Sequence, residues 1–232
     1  MSDTRTRPSS PPAPRKAEPA VNPAAYESLT AQADLAFPEY TAPPDQPMVL
    51  VHRWLATAVE RKVREPKALA LATADGKGRP STRVVALSAV EDAGLVFATH
   101  SGSQKGRELA VNPWASGVLY WRETGQQIIF GGEAVQLEDS EADRYWNARP
   151  LPLHPMSAVS HQSDVLEDRA AMLAAAARLA ALGTPLPRPE RFVVFRLEPS
   201  AVEFWSVSAD RLHMRLRYDR DDHGWHTSRL QP

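Results

Sequence analysis

The chain has 232 residues, with 27 basic against 28 acidic side chains and a formal net charge of −1. That balance excludes the strongly basic face of a nucleic-acid-binding protein. The absence of cysteine excludes disulfides, thiolate metal sites, iron–sulfur clusters and cysteine nucleophiles. Without an apolar run of about 18 residues the chain has no candidate membrane span. Without an apolar N-terminal stretch it reads as a cytoplasmic protein.

Ten of the 21 prolines fall within the first 47 residues. Residues 1–24, rich in Pro, Ser, Arg and Lys, hold too few large apolar groups to offset the entropy of ordering and read as a disordered arm. The FPEYTAPPDQP stretch reads as extended chain lying on the core or on a partner subunit. A helix is expected from about Asp45 or Pro47, with Val51, Trp54, Leu55 and Val59 on one face. ALALATAD and STRVVALSAV, joined by a Gly/Pro turn, read as a hairpin, and GLVFATH as a third strand. SGSQKGRELAVNP carries a Ser cap and a terminating Asn112-Pro113. WASGVLYWR and QQIIFGGEAVQLE are strands around Glu123-Thr124-Gly125, and Gly131-Gly132 predicts a bulge or a close backbone approach. DSEADRYWNAR opens with a Ser-x-x-Asp cap signal. After a Pro-rich loop, DVLEDRAAMLAAAARLAALG reads as one helix ending at Gly183. RFVVFRLEPS, AVEFWSV and RLHMRLRYDR read as three strands. Short turns between neighbouring strands favour an antiparallel sheet closed into a small barrel: a mainly β, α+β fold, with residues 25–232 as one domain.

No standard catalytic motif is present, and the seven histidines show no metal-ligand spacing, so no metal site is expected. Polar residues on strands stand out instead. Arg83 has apolar flanks, and Gln127 opens an apolar strand. Arg211, His213 and Arg215 alternate in RLHMRLRY, which on a strand projects them from one face and buries Leu212, Met214 and Leu216 on the other. From the residues alone that stripe is either a solvated outer face or the wall of an anion or cofactor pocket. Lys105 follows a small-residue lead-in at a helix start, where backbone N–H groups favour anions. Ser160-His161-Gln162-Ser163 reads as a capping segment or a hydrogen-bonding loop. Trp205 is placed at a strand end, where it could stack on a planar ligand.

Taken in order, TRVVAL, FATHSGSQKGRELAVNPWAS, GGEAVQL, ARP, VSHQS, VEFW, RLHMRLRYDR and RLQP resemble the pyridoxamine 5′-phosphate oxidase family of FMN-binding split β-barrels. The resemblance covers roughly Pro47 to Pro232 and is strongest to the phenazine-biosynthesis flavin oxidases. It implies a homodimer with FMN at the subunit interface. Arg83 and Lys105 match phosphate-contacting cations, and Gln104 stands beside the latter where an Arg is often found. Val84, Val85, Ala98 and Thr99 match positions lining the cofactor. Gln127, Gln162 and Ser163 match hydrogen-bonding positions drawn from the two subunits, and Trp205 and Arg215 match flavin contacts. Arg211 and His213 match the catalytic pair that orients substrate over the flavin.

Two departures bear on substrate. Vitamin B6 oxidases carry a Lys where this chain has Ser88, and a Ser where it has Leu153; both serve the substrate's phosphate, while Tyr145 and Arg149 match the other two ligands. Each lost charge-assisted bond is worth about 1.5–3 kcal/mol. The resemblance therefore implies an oxidase acting on a reduced phenazine carboxylate, a small aromatic carboxylate. Hydride would pass to the flavin, with O2 as acceptor and H2O2 as by-product. Alternatives are a pyridoxine/pyridoxamine 5′-phosphate oxidase and a non-catalytic flavin- or haem-binding split barrel.

Overall fold

ALALATA, Ala68–Ala74, buries every second side chain, so it forms a strand with one face in a core. Trp114–Trp121 and most of Gln126–Gln136 alternate in the same way, whereas Gly94–His100 is buried on both faces. In the computed structural model, which describes residues 35–208 and 210–232, the strands are β1 (Ala68–Ala74), β2 (Pro80–Glu91), β3 (Gly94–His100), β4 (Trp114–Trp121), β5 (Gln126–Gln136), β6 (Phe192–Ser206), β7 (Met214–Asp221) and β8 (Gly224–Arg229). The helices are α1 (Pro47–Glu60), α2 (Gln104–Val111), α3 (Asp139–Ala148), α4 (His154–Val159) and α5 (Arg169–Ala180). The proposed 1–24 arm lies outside the described residues.

The strand order is β3-β2-β1-β4-β5-β6-β7-β8, all antiparallel, and β6 also pairs with β3. Six strands thus close into a barrel, with β2 and β3 paired only over part of their length. One edge of β6 serves two partners: Phe192–Leu197 pair with β3, and Ala201–Ser206 pair with β7. The two sequence runs RFVVFRLEPS and AVEFWSV are therefore one strand, because β5 pairs along nearly its whole length.

Inside the barrel lie Leu69, Leu71, Leu119, Ile128, Phe130 and Phe204. The face of α1 formed by Leu50, Val51, Trp54, Leu55 and Ala58 covers one opening, with Trp54 edge-on to Phe204 at 5.3 Å. Val59, expected on that face, is exposed, and Ala58 takes its place. Phe37 packs on Trp54 at 4.9 Å, and Arg229 and Tyr218 bond to the carbonyls of Tyr40 and Pro44, so residues 37–44 lie across their own barrel. A second cluster, Val96, Ala142, Trp146, Leu186, Phe192 and Val194, packs α3 on the outer face of β3 and β6.

The Gly131-Gly132 expectation holds in both forms. The β5–β6 register slips there, and a Cβ on Gly132 would stand 2.0 Å from the Glu198 carbonyl oxygen. Gly132→Ala should destabilise the protein by about 1–3 kcal/mol, because backbone cannot yield as a side chain would. Gly131→Ala, with no atom within 4 Å of its added methyl, is the control. Thermal melts of the two variants compare them directly.

Some local readings need correction. α3 starts at Asp139 with Glu138 in the N-cap position, which leaves Ser140 inside the helix. The 164–183 run becomes helical only at Arg169, because the Asp168 carboxylate accepts from Ala171 N–H and fixes the start there. The Pro-rich loop contains α4, since a proline in the first helical turn has no N–H to lose.

Candidate functional site

The β2–β3 pairing runs only from Leu87/Phe97 to Glu91/Gly94, and Ser88 is the extra residue of a bulge within it. Before Leu87, β2 stays with β1 while Ala98–His100 of β3 stay with β6. The barrel wall opens between them. A cavity of about 440 Å³ occupies the gap, lined by Arg83, Val84, Val85, Ala86, Ser88, Ala98, Lys105, Arg149, Gln162 and Ser163. The unpaired edge of β2 presents backbone N–H and C=O groups to whatever fills it. A neighbouring cavity of about 200 Å³ shares Ser88, Ala98 and Arg149, and adds Tyr145, Ala148, Pro150, Leu153 and Phe192.

Helix α2 sits at the mouth of the gap, capped by Ser103 Oγ, which accepts from Gly106 N–H at 3.2 Å. Lys105 Nζ donates to Thr99 Oγ1 at 3.1 Å. The 160–164 loop docks on the same helix start: Ser163 Oγ accepts from Gln104 N–H at 3.0 Å, and Gln162 Oε1 accepts from Thr99 Oγ1 at 3.2 Å. Ser163 takes φ 74°, a left-handed backbone that this docking holds in place. The Gln104 side chain turns away from the cavity and donates to Glu108 at 2.9 Å.

Three cations line the cavity. Arg83 donates to Thr73 Oγ1 at 2.6 Å, to Ser81 Oγ at 2.5 Å and to the Leu71 carbonyl at 3.3 Å. Burial and the nearby Arg83 guanidinium hold the Lys105 amine below its ordinary range. Burial also lowers Arg149, whose buried Nε has no hydrogen-bond partner. Cations that repel one another and leave a buried donor unmatched are arranged for an anion. The donor set, the open strand edge and the exposed apolar Val84 beside it fit the phosphate and flat ring system of FMN.

His100, beside this mouth, was not singled out from sequence. Its Nδ1 accepts from Gln162 N–H at 3.4 Å, and its buried Nε2 has no partner. Burial, then the Arg191 charge, push its pKa down to about 4 from 6.5. Between those values the unfolded chain takes a proton that the folded protein refuses, so stability is lost as pH falls from 6.5 towards 4. The melting temperature is expected to drop across that window, and His100→Asn to drop less steeply.

The remaining sequence candidates lie elsewhere. Gln127, Trp205 and Arg215 form one cross-strand row on β5, β6 and β7. Arg215 Nε donates to Glu203 at 2.7 Å and Nη1 to the Gln231 carbonyl at 2.8 Å. The ring of His213 lies 4.8 Å from that of Trp205, and its Nδ1 accepts from Ser208 N–H at 3.1 Å. The strand stripe is corrected here: β7 begins at Met214, Arg211 sits in the preceding turn at φ 66°, and Leu212 is exposed. A turn residue in that conformation cannot continue the strand's alternation, so Arg211 and His213 are placed by the turn. None of these five residues lines either cavity. Ala98 stands opposite Val194, and Trp205 is eleven residues further along β6, about 36 Å of strand.

Both groups nevertheless lie on the outward face of one sheet. The row Val84–Ala70–Val118–Ile129–Glu203–Arg217 crosses six strands, and Ala86, Tyr120, Gln127 and Trp205 flank it. Between the two groups this face is apolar or small, with Val84 and Tyr120 exposed.

A fold of this shape with a cation-lined split in its wall defines a class, and the sequence comparisons agree. A family model described as pyridoxamine 5′-phosphate oxidase matches residues 55–183, and one described as pyridoxine 5′-phosphate oxidase C-terminal dimerisation region matches residues 192–232. The chain belongs to the pyridoxamine 5′-phosphate oxidase family. Within it, the chain is 59% identical over 212 residues to the dihydrophenazinedicarboxylate synthase of Burkholderia lata, covering 91% of this chain and 100% of that protein. It is 40% identical to the pyridoxine/pyridoxamine 5′-phosphate oxidase of Burkholderia vietnamiensis, covering 84% and 92%. Among solved structures, PhzG from Burkholderia lata 383 in complex with tetrahydrophenazine-1-carboxylic acid matches with a TM-score of 0.85 at 60% identity, over 86% of this chain and 99% of that one.

Proposed function

We propose that this chain is an FMN-dependent oxidase of phenazine biosynthesis, working as a homodimer on a reduced phenazine carboxylate. The observation that carries the substrate assignment is the smaller cavity. Its lining contains one cation, Arg149, among Ala148, Pro150, Leu153 and Phe192. One guanidinium with an unmatched Nε beside apolar walls suits a planar monocarboxylate. A phosphomonoester carries about −1.5 to −2 charges and asks for more donors than Arg149 supplies. Tyr145, the other matching residue, already donates its hydroxyl to Glu91 at 2.7 Å. The likeness to a protein solved with tetrahydrophenazine-1-carboxylic acid supports the same reading.

Arg83 and Lys105 would bind the FMN phosphate, and the β2 edge at Val84–Ala86 would flank the ring. Trp205, Arg215 and Gln127 would reach the same cofactor from the partner subunit, since none of them lines the cavity within one chain. A two-fold contact through the shared sheet face would bring one subunit's row over the other's cavity. FMN, held by these residues, would supply two-electron redox chemistry, with O2 as the final acceptor and H2O2 as by-product. His213, held by Ser208 N–H at its Nδ1 and packed beside Trp205, would line the substrate side of the flavin. Arg211, at the same turn, would hold the carboxylated end of the substrate in register with it.

The test is anaerobic mixing of FMN-loaded protein with tetrahydrophenazine-1-carboxylic acid and, separately, with pyridoxine 5′-phosphate. Bleaching of the visible flavin band by the first and not the second is expected. The reverse result establishes the B6-phosphate reading instead, and bleaching by dithionite alone establishes a binding protein without oxidase activity.

A further inference from the structure

Glu108 is a buried carboxylate on α2 that no sequence motif singled out. It accepts from the Thr73 hydroxyl, from Ser81 Oγ at 2.7 Å, from Gln104 Nε2 at 2.9 Å and directly from Arg83 Nη2 at 3.3 Å. Thr73 and Ser81 are the same hydroxyls that accept from Arg83. A hydroxyl has one proton, so donating it to Glu108 aims its lone pairs at the guanidinium. The carboxylate thereby fixes both hydroxyl rotors, and through them both Arg83 amino groups. Burial pushes the Glu108 pKa up, but these four partners outweigh it and hold it below the ordinary value, so it is charged at neutral pH.

We infer that Glu108 is a positioning residue for the anion end of the cavity, setting the Arg83 guanidinium directly and through Thr73 and Ser81 so that it meets the phosphate of FMN. The inference rests on the reading that this cavity takes FMN. An opposed role is conceivable from charge alone: a carboxylate near a phosphate repels it, and its removal would tighten binding. The geometry favours positioning, because the Glu108 oxygens are already saturated by donors from β1, β2 and α2.

Comparison of FMN with riboflavin, which lacks the phosphate, separates these outcomes. Dissociation constants come from quenching of flavin fluorescence on the apoprotein. Glu108→Ala should weaken FMN about tenfold and leave riboflavin within about twofold, the size of one charge-assisted hydrogen bond. Glu108→Gln keeps an acceptor of the same shape and should stay within about threefold for both ligands at pH 7.

The second readout is the alkaline limb of the FMN-to-riboflavin affinity ratio. Lys105 is faced by Arg83 from β2, by Glu108 on its own helix, and by His100 and Arg149 from β3 and the end of α3. Glu108 is the negative group among them, and it keeps the Lys105 ammonium protonated to higher pH. Glu108→Gln should therefore move that limb to lower pH. Equal losses for both flavins, tighter FMN binding by Glu108→Ala, or an unmoved limb in Glu108→Gln each overturns the inference. A parent protein that does not favour FMN over riboflavin overturns the underlying FMN reading instead.

Discussion

Neither Arg83→Ala nor Arg215→Ala protein is expected to hold FMN well, yet dimers containing one chain of each should. Arg83 lines the cavity in the split between β2 and β3, whereas Arg215 lies in the Gln127–Trp205–Arg215 row at the far end of β6. In the proposed two-fold dimer each site would take the cavity of one subunit and the row of the other. A mixed dimer then has one site with both defects and one with none. Random pairing makes half of the dimers mixed, so about a quarter of all sites recover. Each homodimer should lose about ten- to a hundredfold in FMN affinity, the range of a charge-assisted bond. Arg215→Ala leaves Glu203 with Arg217 at 3.8 Å, which limits collateral damage to the fold. Co-expression with two different tags and measurement of FMN per mixed dimer reads the result directly. Mixed dimers without FMN would mean that both arginines serve one site from one chain.

Converting the smaller cavity back to phosphate recognition is the second large effect. Ser88 and Leu153 line it together with Arg149, so a Lys at the first position and a Ser at the second both face the same space. The double variant Ser88→Lys, Leu153→Ser should raise kcat/KM for pyridoxine 5′-phosphate by about a hundredfold or more. That corresponds to two added bonds at about 1.5–3 kcal/mol each, less the cost of ordering the lysine. The single Leu153→Ser should gain about tenfold, the size of one charge-assisted bond to the phosphate. Oxidation of the phenazine carboxylate should fall in the double variant, since Leu153 no longer offers an apolar wall. Steady-state rates with both substrates decide the matter, and an unchanged preference would remove Ser88 and Leu153 as specificity determinants.

Strand identity was legible because alternation of burial is a local property. ALALATAD alternates and proved a strand to within one residue. GLVFATH read as a strand from its apolar β-branched run although both its faces are buried. Gly131-Gly132 marked its bulge because only glycine tolerates backbone at 2.0 Å from a Cβ position. The RLHMRLRY stripe misled for the same reason. Alternating residue types look alike in a strand and in the turn before it, and only the left-handed φ of Arg211 ends the pattern. His100 and Glu108 were missed because nothing local marks a buried ionisable group. Glu108 meets Thr73 across 35 positions of sequence and Ser81 across 27.

The residue order by itself determined that this is a mainly β chain without cysteine chemistry, and it marked Arg83, Lys105, Arg149, His213 and Trp205 as residues to explain. Tertiary structure decided how they combine. Closure of β6 onto β3 pulls β3 away from β2, opens the cavity at Ser88 and places three cations around it. The same long strand carries Trp205 away from that cavity. Pairing register and ring closure are sums over many distant contacts, so no stretch of sequence contains them.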